Sequence, residues 1–569
     1  MTCCALASLL FWPTVVRGAP PRLVVVIVLD QFPREYLDRF APLFDKAGFR
    51  RLLTGGADFR SCEQDQFITL TGPGHAVMLT GAYGVHNGIV GNWWYSRTKQ
   101  KIVSCVKDSR FSLVVPPDPL FPADRPRGAS PLASMATTVG DVLRSATALR
   151  ARVLSLSIKD RGAVLLGGRR PSGAYWYEPR TCSFVTSSYY SSRLADWVID
   201  FDRAQPCGRY VGHLWTKLRP DLDYGHFADA DDVPYERDEY GLGRTFPHPV
   251  GEWIKPTADR GAGDQNRYTA VVDTPFGNEL LLRFAEVAVD GEQLGRDAVP
   301  DLLTLSFSSV DNVGHLYGPH SQEMLDTVLR MDRLLADFMH FLDAKVGRQQ
   351  WVLVLTSDHG VAPIPERLER LGILPARANH YRFKTKHARE QVEGALKQRF
   401  FGAAGPPKDF PGFFEAWNRR TEPFVYVNHR ALNRLPGQMS FDRLLDAIKK
   451  EIGKLDGVAR VYSRSERGLL AASQDPTEQR AYRSWPAENG GDLLIQLQSY
   501  WVGRQAATTH GTPYRYDTHV PMLLYGRGIS AGHFDRPVAV VDLASTVARI
   551  LAVEPPPLDE GRPLFEALK

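Results

Sequence analysis

Cysteine is scarce in this 569-residue chain, with six in all and none in Cys-x-x-Cys spacing. A cysteine-held zinc site is thereby excluded as the organising feature. Beyond Cys3 and Cys4, the even set Cys62, Cys105, Cys182 and Cys207 suits an oxidising compartment and up to two disulfides. Of the three pairings possible, Cys62–Cys105 and Cys182–Cys207 are expected, because each brackets one local segment. The chain also lacks any long Lys/Arg block: 69 basic and 64 acidic residues are dispersed to a net charge of +5, so nucleic-acid binding is not implied. Long hydrophobic runs are missing too. Ala5–Val16 (ALASLLFWPTVV) is too short to span a bilayer, and no other segment is a candidate. Followed by Arg17-Gly18-Ala19-Pro20, it reads as a secretory apolar region near a cleavage point, although no basic residue precedes it. Residues 1–19 are expected to be a signal peptide, and the mature protein periplasmic or secreted.

Two stretches stand out, each ending an apolar, β-branched run in metal-binding residue types. Leu302–His315 reads LLTLSFSSVDNVGH and Trp351–Gly360 reads WVLVLTSDHG. Such runs read as central strands of a parallel sheet, whose ligands gather outside the carboxyl ends. Leu23–Leu29, closing on Asp30, and Val153–Ser157, closing on Ile158-Lys159-Asp160-Arg161, are further strands of the same kind. Between the last two strands, Met324, Val328, Met331, Leu335, Phe338 and Leu342 recur at helical spacing after a Ser321 N-cap. The alternation predicts right-handed βαβ crossovers and a large, doubly wound, mostly parallel α/β sheet. Residues 20–165, 296–364 and 496–569 are expected to form this discontinuous core. Residues 166–295, rich in Tyr, Trp, Gly, Pro and Asp, are expected to be a cap. Residues 365–495, with strands at Phe424–Val427 and Ala459–Tyr462 and a helix at Phe441–Leu455, are expected to be a small α+β insertion.

Carboxylate plus imidazole is the ligand set of zinc or a similar metal. Asp30, Asp311, His315, Asp358 and His359 follow strand-like runs, and His519 precedes a short one in YRYDTHVPMLLYG. Singly, each Asp reads as a helix cap and each His as a satisfied core residue. Together they suffice for two metals with three protein ligands each. His75, His86, His320 and His510 lie near these motifs and are expected to be structural. Thr71 precedes Gly72-Pro73-Gly74 and a helix-like stretch, which places it at or near a helix N-cap, where exposed N–H groups favour an anion. By itself that is an ordinary capping threonine. Its hydroxyl becomes a nucleophile only with a metal or base beside it.

The motifs VLD at 28–30, TGPGH at 71–75, GIVGNWW at 88–94, SIKDR at 157–161, SSVDNVGHLYGP at 308–319, TSDHG at 356–360 and YDTHVP at 516–521 together resemble the alkaline phosphatase superfamily. The similarity is greatest to its threonine-nucleophile, phosphate-irrepressible bacterial type, and covers nearly the whole chain. The resemblance implies an alkaline phosphatase with two zinc ions that hydrolyses phosphate monoesters through a phosphothreonine. One zinc would be held by Asp311, His315 and His519, the other by Asp30, Asp358 and His359 with Thr71. It further implies that Asn92, Lys159 and Arg161 bind the phosphoryl group. Lys159 and Arg161 sit two apart, so on an extended segment they would point the same way. A Lys/Arg pair suits the dianion of a monoester, and the related nucleotide pyrophosphatases/phosphodiesterases lack it at this place.

Small-molecule phosphate esters are the expected partners, with a monomer as the working expectation. The alternatives are a phosphodiesterase or nucleotide pyrophosphatase of the same superfamily and, from another class, a non-catalytic zinc-stabilised binding protein. The latter would require loss of the nucleophile, and Thr71 is present. A sulfatase is disfavoured, because its C/S-x-P-x-R motif is replaced by TGPGH.

Overall fold

The computed structural model describes residues 19–116, 126–204, 206–238, 241–251, 264–377, 379–503 and 506–569. The expected signal peptide therefore lies outside the described residues, apart from Ala19. The elements that matter for function begin with β1 (Leu23–Leu29), α1 (Thr71–Thr80), β2 (Val153–Ser157), α2 (Asp160–Gly167), β3 (Gly173–Glu178) and β4 (Ser183–Ser187). They continue with α3 (Phe276–Gly291), β5 (Asp301–Phe307), α4 (Ser309–Tyr317), α5 (Gln322–Leu342) and β6 (Trp351–Thr356). A smaller unit contributes β7 (Phe414–Ala416), β8 (Phe424–Val427), α6 (Phe441–Ile452), β9 (Val458–Ser463) and β10 (Leu493–Leu497), after which β11 (Met522–Gly526) returns to the main sheet.

Among the described residues the main sheet has eleven strands, and its central order is β11-β6-β1-β5-β2-β3-β4. Strand β1 runs parallel to both β5 and β6, with Leu29 opposite Phe307 and Val28 opposite Thr356. Strand β2 is parallel to β5, with Ser157 opposite Ser306. Four strands therefore end level, and whatever follows each one emerges at the same edge.

Every residue of β1, β2, β5 and β6 is buried. Burial on both faces explains why these runs are mostly apolar, with small hydroxyl side chains such as Ser155, Thr304 and Ser306 between the aliphatic ones. Val25, Ile27, Leu303 and Leu305 face α5 through Met324, Val328, Met331 and Leu335, while Val24, Val26, Val352 and Val354 pack with Val77, Met78 and Leu79 of α1. Helix α5 starts where its cap predicts, with Ser321 Oγ accepting from Met324 N at 3.0 Å. The large α/β sheet is thus the fold expected from the sequence.

Two expectations need correction. Residues 166–295 are not a cap throughout: β3 and β4 extend the main sheet, and α3 packs on its face through Leu280, Leu281 and Phe284. The physical reason is that Tyr175-Trp176-Tyr177 lies on a two-sided buried strand, with Tyr175 and Tyr177 in one apolar cluster and Trp176 in another. The second correction concerns cysteine. Cys182 and Cys207 are bonded, with Cα atoms 5.9 Å apart, whereas Cys62 and Cys105 are buried free thiols. Cys62 packs with Phe59, Val520 and Val538, and Cys105 with Trp94, Val164 and Trp176. Each belongs to a different apolar cluster, so bracketing a segment in sequence did not bring them together in space. Burial raises both thiol pKa values, that of Cys105 to about 12.

The smaller unit is an antiparallel sheet in the order β7-β8-β10-β9, with α6 on it and its own core around Val425, Leu444, Ile448 and Trp417. No helix among the described residues is long and apolar enough to cross a membrane.

Candidate active site

The level strand ends bring distant residues together. Asp30 follows β1, its backbone N–H donating to Phe307 O at 2.9 Å. Asp358 follows β6 by two positions and Lys159 follows β2 by two. Ser308 Oγ donates to Asp30 Oδ2 at 2.9 Å, and the backbone N–H of Gln31 donates to Asp358 Oδ1 at 3.1 Å. Helix α1 starts at Thr71 after an extended Leu70, and all ten of its residues are buried. It lies so close to β6 that a Cβ on Gly74 would stand 2.6 Å from Asp358 O.

Two clusters of metal-binding groups result. The first is Asp311, His315 and His510. Asp311 and His315 share one face of α4, with His315 Nε2 3.3 Å from Asp311 Oδ1, and His510 Nε2 is 3.4 Å from the same oxygen. The second groups Asp30, His75 and Asp358. Both nitrogens of His75 are engaged, Nδ1 with Thr71 O and Nε2 with Ser306 Oγ, each at 2.9 Å. His359 differs: its Nδ1 meets Gly360 O at 3.0 Å, and its Nε2 is buried without a hydrogen-bond partner among the described residues, as is Asp358 Oδ2, 3.3 Å away. An orphaned imidazole nitrogen beside an orphaned carboxylate oxygen fits a cation better than it fits an apolar core.

The three imidazoles share one arrangement. His315 Nδ1 meets Thr508 O at 2.9 Å, His510 Nδ1 meets Thr69 O at 2.8 Å, and His359 Nδ1 meets Gly360 O. A carbonyl can only accept, so each Nδ1 carries a proton, and in the neutral ring each Nε2 keeps its lone pair, the usual state of a ligating histidine. Burial holds His359 and His510 in their neutral forms, His510 being pushed down to about 3 with His359 adding to the effect.

His519 does not join either cluster. Its Nε2 meets Arg60 O at 2.8 Å and so carries the ring proton, with the Arg515 guanidinium 3.4 Å away, and it offers no lone pair to a metal. His510, which the sequence reading left as structural, stands where His519 was expected. His510 lies in a loop with no strand beside it, whereas His519 opens one, and the strand-end pattern favoured the wrong residue. The Thr508-Thr509-His510-Gly511-Thr512 segment, a histidine among small residues, was the signal available.

Lys159 reaches both clusters: its Nζ is 3.1 Å from Asp30 Oδ2 and 2.6 Å from Asp311 Oδ2. Burial works against its charge, but Asp311 and Asp30 outweigh that and raise its pKa. Burial likewise opposes ionisation of Asp311, yet Lys159 and His315 hold it well below the usual carboxylate range. Two buried aspartates, Asp30 and Asp311, share this one lysine, and the buried Asp358 stands beside His75 and His359. Lys159 and Arg161 are not on an extended segment; Lys159 caps α2 and Arg161 is in its first turn. They nevertheless line one cleft of about 740 Å³ together with Asn92, to which Lys107 and Arg127 add positive charge. Asn92 Oδ1 accepts from Gly72 N at 2.7 Å, which ties it to the first turn of α1 and leaves its NH2 group as the end able to donate to a ligand.

Residues 24–461 match the family model described as type I phosphodiesterase / nucleotide pyrophosphatase. The chain belongs to that family. Within this phosphodiesterase/nucleotide pyrophosphatase family, it is 31% identical over 551 residues to alkaline phosphatase PafA of Elizabethkingia meningoseptica, covering 96% of this chain and 94% of the relative. It is 32% identical over 567 residues to alkaline phosphatase PhoV of Synechococcus elongatus, covering 97% and 94%. The crystal structure of wild-type PafA superimposes with a TM-score of 0.85 at 30% identity, covering 97% of this chain and all of that one. The family and the alkaline-phosphatase-like fold expected from the motifs are those found, and the chain is an enzyme of this family.

Proposed function

We propose that this enzyme hydrolyses phosphate monoesters through a covalent phosphothreonine on Thr71, releasing inorganic phosphate, with two zinc ions as cofactors. Asp311, His315 and His510 would hold one ion; Asp30, Asp358 and His359, with the Thr71 hydroxyl, would hold the other. Bound there, the ions supply positive charge at the entering and leaving oxygens and lower the pKa of the attacking hydroxyl. Thr71 Oγ forms the bond to phosphorus as the ester P–O bond breaks and the alcohol departs. Water then cleaves the phosphothreonine, which frees phosphate and restores Thr71. The N-terminal N–H groups of α1 favour the charge gathered at that point.

The observation that carries the monoester reading is the shared cleft of Asn92, Lys159 and Arg161. Asn92 donates to one phosphoryl oxygen, Arg161 offers a fork for two, and Lys159 supplies a compact charge. A monoester dianion presents more non-bridging charge than a diester and gains more from this pair. The similarity to enzymes named alkaline phosphatases supports the same choice. A diesterase is the second reading, favoured by the family description itself. Rates on an aryl phosphate and on its methyl diester, measured with and without chelator, separate the two. The expected result is a monoester preference lost on chelation and restored by zinc; a strong diester preference would overturn the reading.

A further inference from the structure

The cleft lined by Asn92, Lys159 and Arg161 is larger than a phosphoryl group needs. At about 740 Å³ it matches sites that take a whole drug-sized molecule, roughly 300–1,000 Å³. A phosphoryl group at one end leaves most of the space for the rest of the ester. The cleft also runs on. A further cavity of about 540 Å³ shares Trp93, Ser104, Lys107 and Arg127 with it and adds Lys99 and Lys101.

The charge in this cleft is one-sided. Its described lining holds two acidic residues, Glu178 and Asp160, and both are engaged. The Glu178 oxygens accept from the Arg180 guanidinium at 2.7 and 2.9 Å, and Asp160 Oδ1 accepts from Arg161 N at 2.8 Å. Lys159 is committed to Asp30 and Asp311. Lys107 and Arg127 are exposed, and neither side chain makes an ion pair or hydrogen bond with any described residue. Lys107 stands opposite Ala129 in an antiparallel pair, and Arg127 is two residues from Ala129, so both side chains leave the same face. The main chain sets their place beside the phosphoryl end. Cys105 N donates to Asn92 O at 3.1 Å, and Lys107 lies two residues on, no more than about 7 Å along the chain. Cys105 also shares an apolar cluster with Val164 of α2, the helix that carries Arg161.

A single exposed lysine is ordinary surface, but a cleft with charge of one sign on its walls concentrates ions of the other sign. In the monoesterase reading the reacting phosphoryl is met by Asn92, Lys159 and Arg161, which leaves Lys107 and Arg127 for a second anionic group. Arg127 offers a fork for two oxygens and Lys107 a compact charge, a pair suited to a phosphate dianion. We propose that Lys107 and Arg127 determine specificity, and that the preferred monoesters carry a second phosphate-like dianion a few carbons from the ester that is cleaved. This inference rests on the monoesterase reading above and names the substrate class for it.

The test compares 3-phosphonopropyl phosphate with butyl phosphate on the zinc-loaded enzyme. The two match in chain length, and the phosphonate, whose P–C bond is not hydrolysed, stands where the other has a methyl group. In the wild-type protein at about 0.05 M salt, kcat/KM for the phosphonate-bearing ester should exceed that for butyl phosphate by about fivefold or more, the worth of two exposed charge contacts. In Lys107→Ala/Arg127→Ala that ratio should fall toward one, and raising salt to about 1 M should shrink it in the wild type. Equal values for both esters in the wild type would overturn this inference alone. A ratio that survives in a double variant with full zinc content, or that high salt leaves unchanged, would overturn it too, as would an equal loss on both esters. Cleavage of neither ester, with a diester cleaved, would overturn the monoesterase reading and this inference with it.

Discussion

Replacing His510 and His519 in turn asks which imidazole completes the first half-site. His510→Ala removes an Nε2 lone pair 3.4 Å from Asp311 Oδ1 and the hydrogen bond from Nδ1 to Thr69 O at 2.8 Å. The lost bond is worth about 1 kcal/mol, and with the buried carbonyl left unmet and a ring-sized void against His359 the stability cost is on the order of 2–4 kcal/mol. Loss of a group that merely orients a ligand lowers metal affinity about 10- to 100-fold, so loss of a ligand itself should exceed that range. His519→Ala removes a half-buried ring whose Nε2 meets Arg60 O, worth about 0.5–1.5 kcal/mol. The assay is zinc per chain after gel filtration, with kcat/KM on an aryl phosphate. His510→Ala should retain about one zinc and lose at least about a hundredfold in kcat/KM, whereas His519→Ala should keep about two and stay within about threefold. The opposite pattern, zinc lost from His519→Ala and kept by His510→Ala, would refute the reasoning.

Four further outcomes are expected. Thr71→Ala should abolish turnover while metal analysis still finds about two zinc ions per chain, since Thr71 contributes only its hydroxyl to the second half-site. Lys159→Ala and Arg161→Ala should each lower the monoester-to-diester ratio of kcat/KM by at least about tenfold, a charge-assisted hydrogen bond being worth roughly 1.5–3 kcal/mol. Cys182→Ser/Cys207→Ser should lower stability to urea by about 3 kcal/mol, as expected for a cross-link over a separation of 25 residues. Asp202 gives the pH dependence. Burial raises its carboxyl to about 8, with only the Phe184 N–H, at 2.9 Å, opposing. The folded state thus holds a proton that the unfolded state releases near pH 4, so stability falls as pH rises from about 4 to about 8 and is level above. Asp202→Asn should therefore raise the melting temperature above pH 8 and leave it nearly unchanged at pH 4.

The strands were legible because burial on both faces leaves a run dominated by aliphatic, β-branched residues. Leu23–Leu29, Val153–Ser157 and Trp351–Thr356 match the structure end to end. Asp30, Asp311, His315, Asp358 and His359 stood out as candidates because each follows a strand, and the structure gathers them at the shared strand ends. His510 was not, because a candidate ligand carried by an irregular loop leaves no periodic trace; its contacts with Thr69 O and Asp311 single it out. The Cys62–Cys105 pairing failed on a similar point. Proximity along the chain says nothing about which apolar cluster absorbs a small hydrophobic side chain. The segment around Tyr175 was misjudged because aromatic richness suits a capping surface and a buried strand equally well, and hydrogen bonding to β2 decides between them.

The partners of His315, His359 and His510 are main-chain oxygens, those of Thr508, Gly360 and Thr69. The tautomer of each ring is thus set by peptide groups, which no codon change deletes. Side chains next to the rings are free to drift, for solubility or access, without rotating a ring or moving its proton. An evolutionary line can rewrite the surroundings of this centre and keep the three rings in place, so long as the three loops keep their paths. Directed evolution of new substrate ranges should accordingly find its tolerated positions close to the reacting atoms rather than far from them.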